Sequence, residues 1–269
     1  MISKIKETAK KLLTSGDVQV VIGYGEGSNG RVRPLFVRSE AEVDRLVYDE
    51  RCTQNIAMYV YKKESVALGK PALIANLQTL RGIIRLAAEK QVEEGSLIAV
   101  FVDDKNKKVS ECRTFEEMEQ AVAEAKPEIK PEDKEMIARL EAMSPAERWE
   151  FWQKELEHCI KCYACRQACP LCYCTQCTVE ANQPQWITVP STGLGNLEWH
   201  VMRAMHLAGR CITCGQCGEA CPVGIPIHLL PIKLAEEVKS IYGSVSGLNR
   251  EEGCAMSTYR PDDKENFIG

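Results

Sequence analysis

Fourteen cysteines dominate the chemistry this sequence can do. Most fall in two bursts, at 159–177 and 211–221. The bursts contain an internal repeat: CIKCYACRQACP (159–170) and CITCGQCGEACP (211–222) share cysteine spacing, an alanine before the last cysteine and a proline after it. Each reads C-x2-C-x2-C-x3-C-P.

Thiolates are iron ligands, and a cubane presents its irons at the corners of a compact cage. Three cysteines at three-residue steps on a tight loop reach three corners. The fourth, ahead of a proline, points away and in two-cluster ferredoxins reaches the other cluster. The spacing therefore predicts two 4Fe–4S clusters, the first on Cys159, Cys162, Cys165 and Cys221, the second on Cys211, Cys214, Cys217 and Cys169. Such cross-ligation ties the motifs together and brings the clusters within reach of electron exchange. Paired C-x2-C also suits structural zinc, but zinc explains neither the third cysteine of each triplet nor the repeated Cys-Pro ending.

Cys172, Cys174 and Cys177 add a C-x-C-x2-C run directly after Cys169-Pro170. They read first as packing thiols beside a cluster. The alternatives are a third metal centre, with a fourth ligand from Cys112, Cys254 or a partner, or redox-active thiols. Cys52 reads as a core residue. The first loop carries Lys161, Tyr163 and Arg166, the second Thr213, Gly215, Gln216 and Glu219. Nearby charge tunes cluster potential, so the more cationic first loop is expected to hold the cluster that reduces more easily.

Other constellations are weaker. Gly25, Gly27 and Gly30 fit G-x-G-x-x-G, but a dinucleotide site needs a helix next. Arg31–Val37 reads as a strand, which makes a glycine-rich hairpin the better reading. His158, His200, His206 and His228 are scattered, and none pairs with a carboxylate or nucleophile in a recognisable catalytic pattern, so no catalytic residue is expected. Trp149, Trp152, Trp186 and Trp199 flank the motifs and are expected to roof the clusters.

The elements that must hold these loops divide the chain. At 269 residues there is room for two ordinary domains. VQVVIG (18–23), VRPLFV (32–37), PALIAN (71–76) and LIAVFV (97–102) read as strands. SEAEVDRLVYDE (39–50), capped by Ser39, LQTLRGIIRLAAEK (77–90) and a segment from Thr114 to Ala125 with a Thr114–Glu117 capping box read as helices. Ile2, Ile5, Ala9 and Leu12 place an amphipathic helix at the start. Apolar runs interleaved with helices favour a mostly parallel sheet. Residues 127–143, with Pro127 and Pro131, read as a linker or a surface helix. Ser144, Pro145 and Glu147 open another helix. NLEWHVMRAMHLAGR (196–210), with Asn196 as its cap, is helical, as is 227–243, kinked at Pro231. The expected organisation is an α/β N-terminal domain (1–126), the linker, a mainly α-helical dicluster ferredoxin domain (144–243) and an extended C-terminal tail (244–269), mobile unless a partner holds it.

Charged residues make up 27% of the chain and the net charge is −4. That gives no basic field for nucleic acid. Neither a membrane span nor a signal core is evident, so a cytoplasmic location is expected.

With the repeats placed, the C-terminal half resembles the dicluster iron–sulfur subunits of anaerobic electron-transfer complexes. The separation of its motifs by helices is similar to that in the dicluster subunit of heterodisulfide reductase and in succinate dehydrogenase iron–sulfur proteins. CIKCYACRQACPLCYCTQC, followed by HLAGRCITCGQCGEACPVGIP, resembles the beta subunits of formate dehydrogenases and deazaflavin-reducing hydrogenases. The N-terminal half is similar to the same family through VVIGYGEGSNGRVRPLFV, the stretch Val43–Val47 and Arg81 within LQTLRGII. The resemblance implies an electron-transfer iron–sulfur subunit serving larger oxidoreductase subunits of hydrogenase, formate dehydrogenase or heterodisulfide-reductase-like type. Members with the full N-terminal domain bind FAD and reduce a deazaflavin. Here Gln78 and Thr79 replace the family's cysteine-containing segment, and the chain is shortened between Asp103 and Cys112. That departure argues against FAD. An FAD-containing beta subunit that reduces a nicotinamide or deazaflavin is the first alternative, a free-standing ferredoxin the second.

Overall fold

The computed structural model describes residues 1–177 and 183–250. The expectation for the tail beyond Arg250 lies outside the described residues.

Helix α1 (Ile2–Thr14) buries Ile5, Ala9 and Leu12. Strands β1 (Val20–Glu26) and β2 (Val32–Val37) form an antiparallel hairpin. Its turn is closed by Gly27 N–H donating to Arg31 O at 2.7 Å, with Asn29 and Gly30 at φ 57° and 70°. The G-x-G-x-x-G match is thus a turn that needs left-handed backbone.

The stretch 39–50 departs from its expected helix. Glu40–Arg45 is a 3-10 turn, and β3 (Leu46–Val47) then pairs with β1. Ser39 makes no side-chain cap; instead the Glu42 carboxylate accepts from Arg38 N–H at 3.2 Å. Pairing Leu46 with the sheet outweighs a short, acid-rich helix with one buried side chain.

A single turn, α2 (Lys63–Val66), leads to β4 (Pro71–Ala75), α3 (Leu77–Ala88), β5 (Ile98–Asp103), β6 (Lys108–Cys112) and α4 (Phe115–Ala125). The sheet order is β2-β1-β4-β5-β6. Only β1, β4 and β5 run parallel; β2, β3 and β6 pair antiparallel. The sheet is therefore mixed rather than mostly parallel. The strand missed in the sequence, β6, is short and partly exposed. It is set by a turn in which Asp103 accepts from the N–H groups of Lys105 and Asn106, both at 3.0 Å.

Helix α1 covers one face of the sheet, over Val21, Ile74, Ile98 and Val100. Helices α3 and α4 cover the other, and that core continues into Leu171, Leu207 and Ile212 of the cysteine-bearing half. The capping box predicted at Thr114 and Glu117 forms.

Helix α5 (Pro131–Ala142) fills the charged stretch 127–143 and starts on Pro131. Its buried Ile137 and Leu140 pack with Leu229 and Ile232. Helix α6 (Pro145–Glu157) begins at the predicted Ser144–Glu147 capping box. After the single turn α7 (Ala164–Gln167), helix α8 (Gly193–His206) is capped by Thr192, not Asn196. Asn196 lies inside the helix, buried, and donates to the carbonyls of Leu156 and Cys159 at 3.0 and 2.9 Å. A second single turn, α9 (Gln216–Glu219), precedes α10 (Leu229–Tyr242). Pro231 falls in the first turn of α10, where its missing N–H has no intrahelical acceptor to lose. The kink expected there is unnecessary. Among the described residues no helix is long and apolar enough to cross a membrane.

Candidate metal centre

The sequence repeat is also a backbone repeat. In the first loop Lys161 and Tyr163 adopt φ 50° and 57°; at the same positions of the second, Thr213 and Gly215 adopt 57° and 75°. Left-handed backbone two and four residues past the first cysteine curls each loop, and α7 or α9 then carries the third cysteine. The curl turns backbone donors inward: Lys161 N–H donates to Cys159 Sγ and Thr213 N–H to Cys211 Sγ, each at 3.3 Å. Amides aimed at cysteine sulfur stabilise thiolate.

Cys169 lines one enclosed cavity with Cys211, Cys214 and Cys217. Cys159, Cys165 and Cys217 share a second buried core, with Cys221 packed against it. Cys162 is exposed but lies close enough to Cys159 for their charges to interact, as does Cys221. Cys217 lies where the two groups meet. No disulfide joins the described cysteines.

These thiols suit a cationic iron cage. Burial pushes the Cys165 thiol up to about 11 and that of Cys211 to about 12, and raises Cys214 and Cys217 as well. Thiols held neutral by burial ionise when a metal supplies the compensating charge. Among the described residues, no three His, Cys, Asp or Glu side chains converge as around a single metal ion. A cubane needs a wider cradle than one ion does.

The neighbouring thiols of Cys169 and Cys172 interact, which lowers Cys169 and raises Cys172. Cys172, Cys174 and Cys177 line one groove with Arg166, Trp199, His206 and Arg210. Cys52 and Cys112 are buried in the core under the sheet.

Two buried arginines from outside the cysteine loops lie beside the cluster sites. Arg203 of α8 is 4% exposed, donates to Cys165 O at 3.1 Å and lines the cavity of Cys169, Cys211, Cys214 and Cys217. Its Nε is buried without a partner among the described residues. Arg81 of α3 is 2% exposed and donates to Ile212 O at 2.6 Å and Ser246 O at 2.8 Å. It lies close enough to Cys211 and Cys214 for their charges to interact. Lys161 is also buried and donates to Thr188 O. The cations around the second loop thus come from other elements, which a charge count within the loops omits. The available signal for Arg203 was a charge on the Trp199–Leu207 stripe of an apolar helix face.

The tryptophans divide. Trp199 is buried edge-on to Tyr163, and Trp152 packs against the core of Cys159 and Cys165. Trp149 and Trp186 are 51% and 75% exposed. His228 Nε2 lies 2.9 Å from Asp133 Oδ1. The pair joins α5 to the start of α10. Burial lowers His200 to about 4, with the charges of Arg203 and Lys161 acting in the same direction.

Residues 155–225 match the family described as a 4Fe-4S dicluster domain. The chain is 34% identical over 101 residues to the beta subunit of F420-dependent formate dehydrogenase from Methanocaldococcus jannaschii, covering 37% of this chain and 26% of that one. It is 32% identical over 107 residues to the F420-dependent formate dehydrogenase 1 beta subunit of Methanococcus maripaludis, covering 40% and 27%. The matched stretch spans about a quarter of either relative's length. The chain is an iron–sulfur protein with a 4Fe–4S dicluster domain, and over part of its length it is similar to beta subunits of F420-dependent formate dehydrogenases.

Proposed function

We propose that this chain is a cytoplasmic electron-transfer subunit that passes electrons through two cross-ligated 4Fe–4S clusters between larger oxidoreductase subunits. The partners would be of formate dehydrogenase, hydrogenase or heterodisulfide-reductase-like type. In this reading Cys159, Cys162, Cys165 and Cys221 hold one cluster, and Cys211, Cys214, Cys217 and Cys169 the other. The clusters supply one-electron redox chemistry. The protein supplies the thiolates, the inward amides and a dry setting between the sheet and α8.

The observation that carries the reading is the enclosed cavity that Cys169 lines with the three cysteines of the opposite repeat. Anaerobically purified protein should contain about eight irons and eight sulfides per chain and copurify with larger redox subunits. Cys169→Ser should lose the cluster of the second repeat and keep the first. Loss of only the first would refute the assignment.

One observation favours the FAD-bearing alternative. A groove lined by Asn76, Gln78, Asp104 and Cys214 lies past the ends of β4 and β5. The carboxyl edge of parallel strands is where open α/β sheets bind cofactors. A stoichiometric flavin that survives gel filtration would establish that alternative; its absence from the purified complex would leave the relay.

A further inference from the structure

We propose that Arg203 is the counter-charge shared by both cluster sites, a positioning residue that raises the two reduction potentials together. This rests on the ligand assignment just given.

The guanidinium is almost wholly buried and spans the two sites. Its Nη2 donates to the carbonyl of Cys165, a proposed ligand of the first cluster. The same side chain lines the cavity of the four proposed ligands of the second. The ionisable groups nearest it include cysteines of both groups, Cys165 of the first and Cys217 and Cys169 of the second, together with Cys172. Among the described residues no carboxylate pairs with it.

A buried guanidinium without an anion is costly. A cubane bound by four thiolates is a net anion, and each reduction adds one electron without adding a compensating charge. A cation fixed beside it favours the reduced form, and so does a donor turned toward its sulfurs. The unpartnered Nε of Arg203 is such a donor.

The other buried cations do not share this position. Lys161 lies near Cys159, and Arg81 near Cys211 and Cys214. Each therefore faces one site and serves as a one-sided control. A charge common to both sites moves the potentials in parallel and leaves the driving force between clusters nearly unchanged. One-sided charges set that difference.

The test is an anaerobic redox titration followed by electron paramagnetic resonance, with iron counted in every sample. Arg203→Gln should keep about eight irons and lower both potentials, each by about tenfold in the reduction equilibrium, about 59 mV for one electron. Arg81→Gln should lower only the second and Lys161→Gln only the first. Eight irons in Arg203→Gln with one potential moved, or neither, overturns the shared role. If Arg203→Gln fails to assemble its clusters, Arg203→Lys decides. Normal iron and both potentials near wild type support the charge; loss of iron there too overturns it in favour of a packing role. A wild-type chain with a single cluster would sink the ligand assignment, and the sharing with it.

Discussion

Arg210 grips Glu89 through hydrogen bonds of 2.7 and 2.6 Å, fastening the end of α3 to the residue just before the second cysteine loop. Arg85 donates to the same carboxylate at 2.8 Å. The three side chains are between 4% and 20% exposed, so this is a largely desolvated contact between the sheet layer and the cluster loops.

Glu89→Gln should therefore be markedly destabilising. It leaves two desolvated guanidinium groups without their anion, at a cost of about 3 kcal/mol. Burial alone would raise the Glu89 carboxyl, but the hydrogen bonds and charge of Arg210, with that of Arg85, hold it below its ordinary value. A carboxyl lowered in the folded state stabilises fully above its unfolded value, about 4.3. That contribution is lost as pH falls through the lower folded value. Anaerobic urea midpoints should show the gap between wild type and Glu89→Gln narrowing on acidification. A gap that stays constant would show that the carboxylate's charge contributes nothing.

Gly218 follows the third cysteine of the second loop, where the first loop has Arg166. A methyl group on Gly218 would run into the ring of His228. Gly218→Ala should push His228 off Asp133, separating α5 from the start of α10, at a cost of about 2 kcal/mol. The check is a lowered urea midpoint together with loss of the His228–Asp133 interaction. The latter would appear as equal midpoints in Gly218→Ala and in Gly218→Ala combined with Asp133→Asn. If the two variants differ as much as Asp133→Asn differs from wild type, the pair survived and the collision is absorbed elsewhere.

What the sequence disclosed was local. The two C-x2-C-x2-C-x3-C-P runs specify each loop within about a dozen residues, and the boxes at Thr114–Glu117 and Ser144–Glu147 close within one helical turn. Where a residue's role is tertiary, the sequence misled. Asn196 has the chemistry of a cap, but its amide is committed to the carbonyls of Leu156 and Cys159, and Thr192 caps the helix. Leu46 and Val47 continue a helical pattern, yet they pair with β1. The contacts of Arg81, Arg203 and Arg210 reach across tens of residues or more, and no short window contains both partners.

Arg81 gives the last prediction, because it joins three parts of the chain through one side chain. From α3 it donates to Ile212 O in the second cysteine loop at 2.6 Å and to Ser246 O at 2.8 Å, just after α10 ends. The approach is close. At Gly247, φ is +76° and an added Cβ would lie 2.7 Å from Arg81 O. Glycine is required there both for its backbone and for its missing side chain. Arg81→Met keeps most of the volume but leaves both carbonyls without their charged donor, at a cost of about 3 kcal/mol. The loss should also be local. Amide hydrogen exchange in the cluster-loaded protein should quicken at 244–250 and at 211–214, while β1 and β4 keep their protection relative to global stability. Gly247→Ala should quicken 244–250 in the same way, since it breaks the same contact from the other side. If Arg81→Met lowers global stability while 244–250 exchange as in wild type, the segment after α10 is held by something other than Arg81.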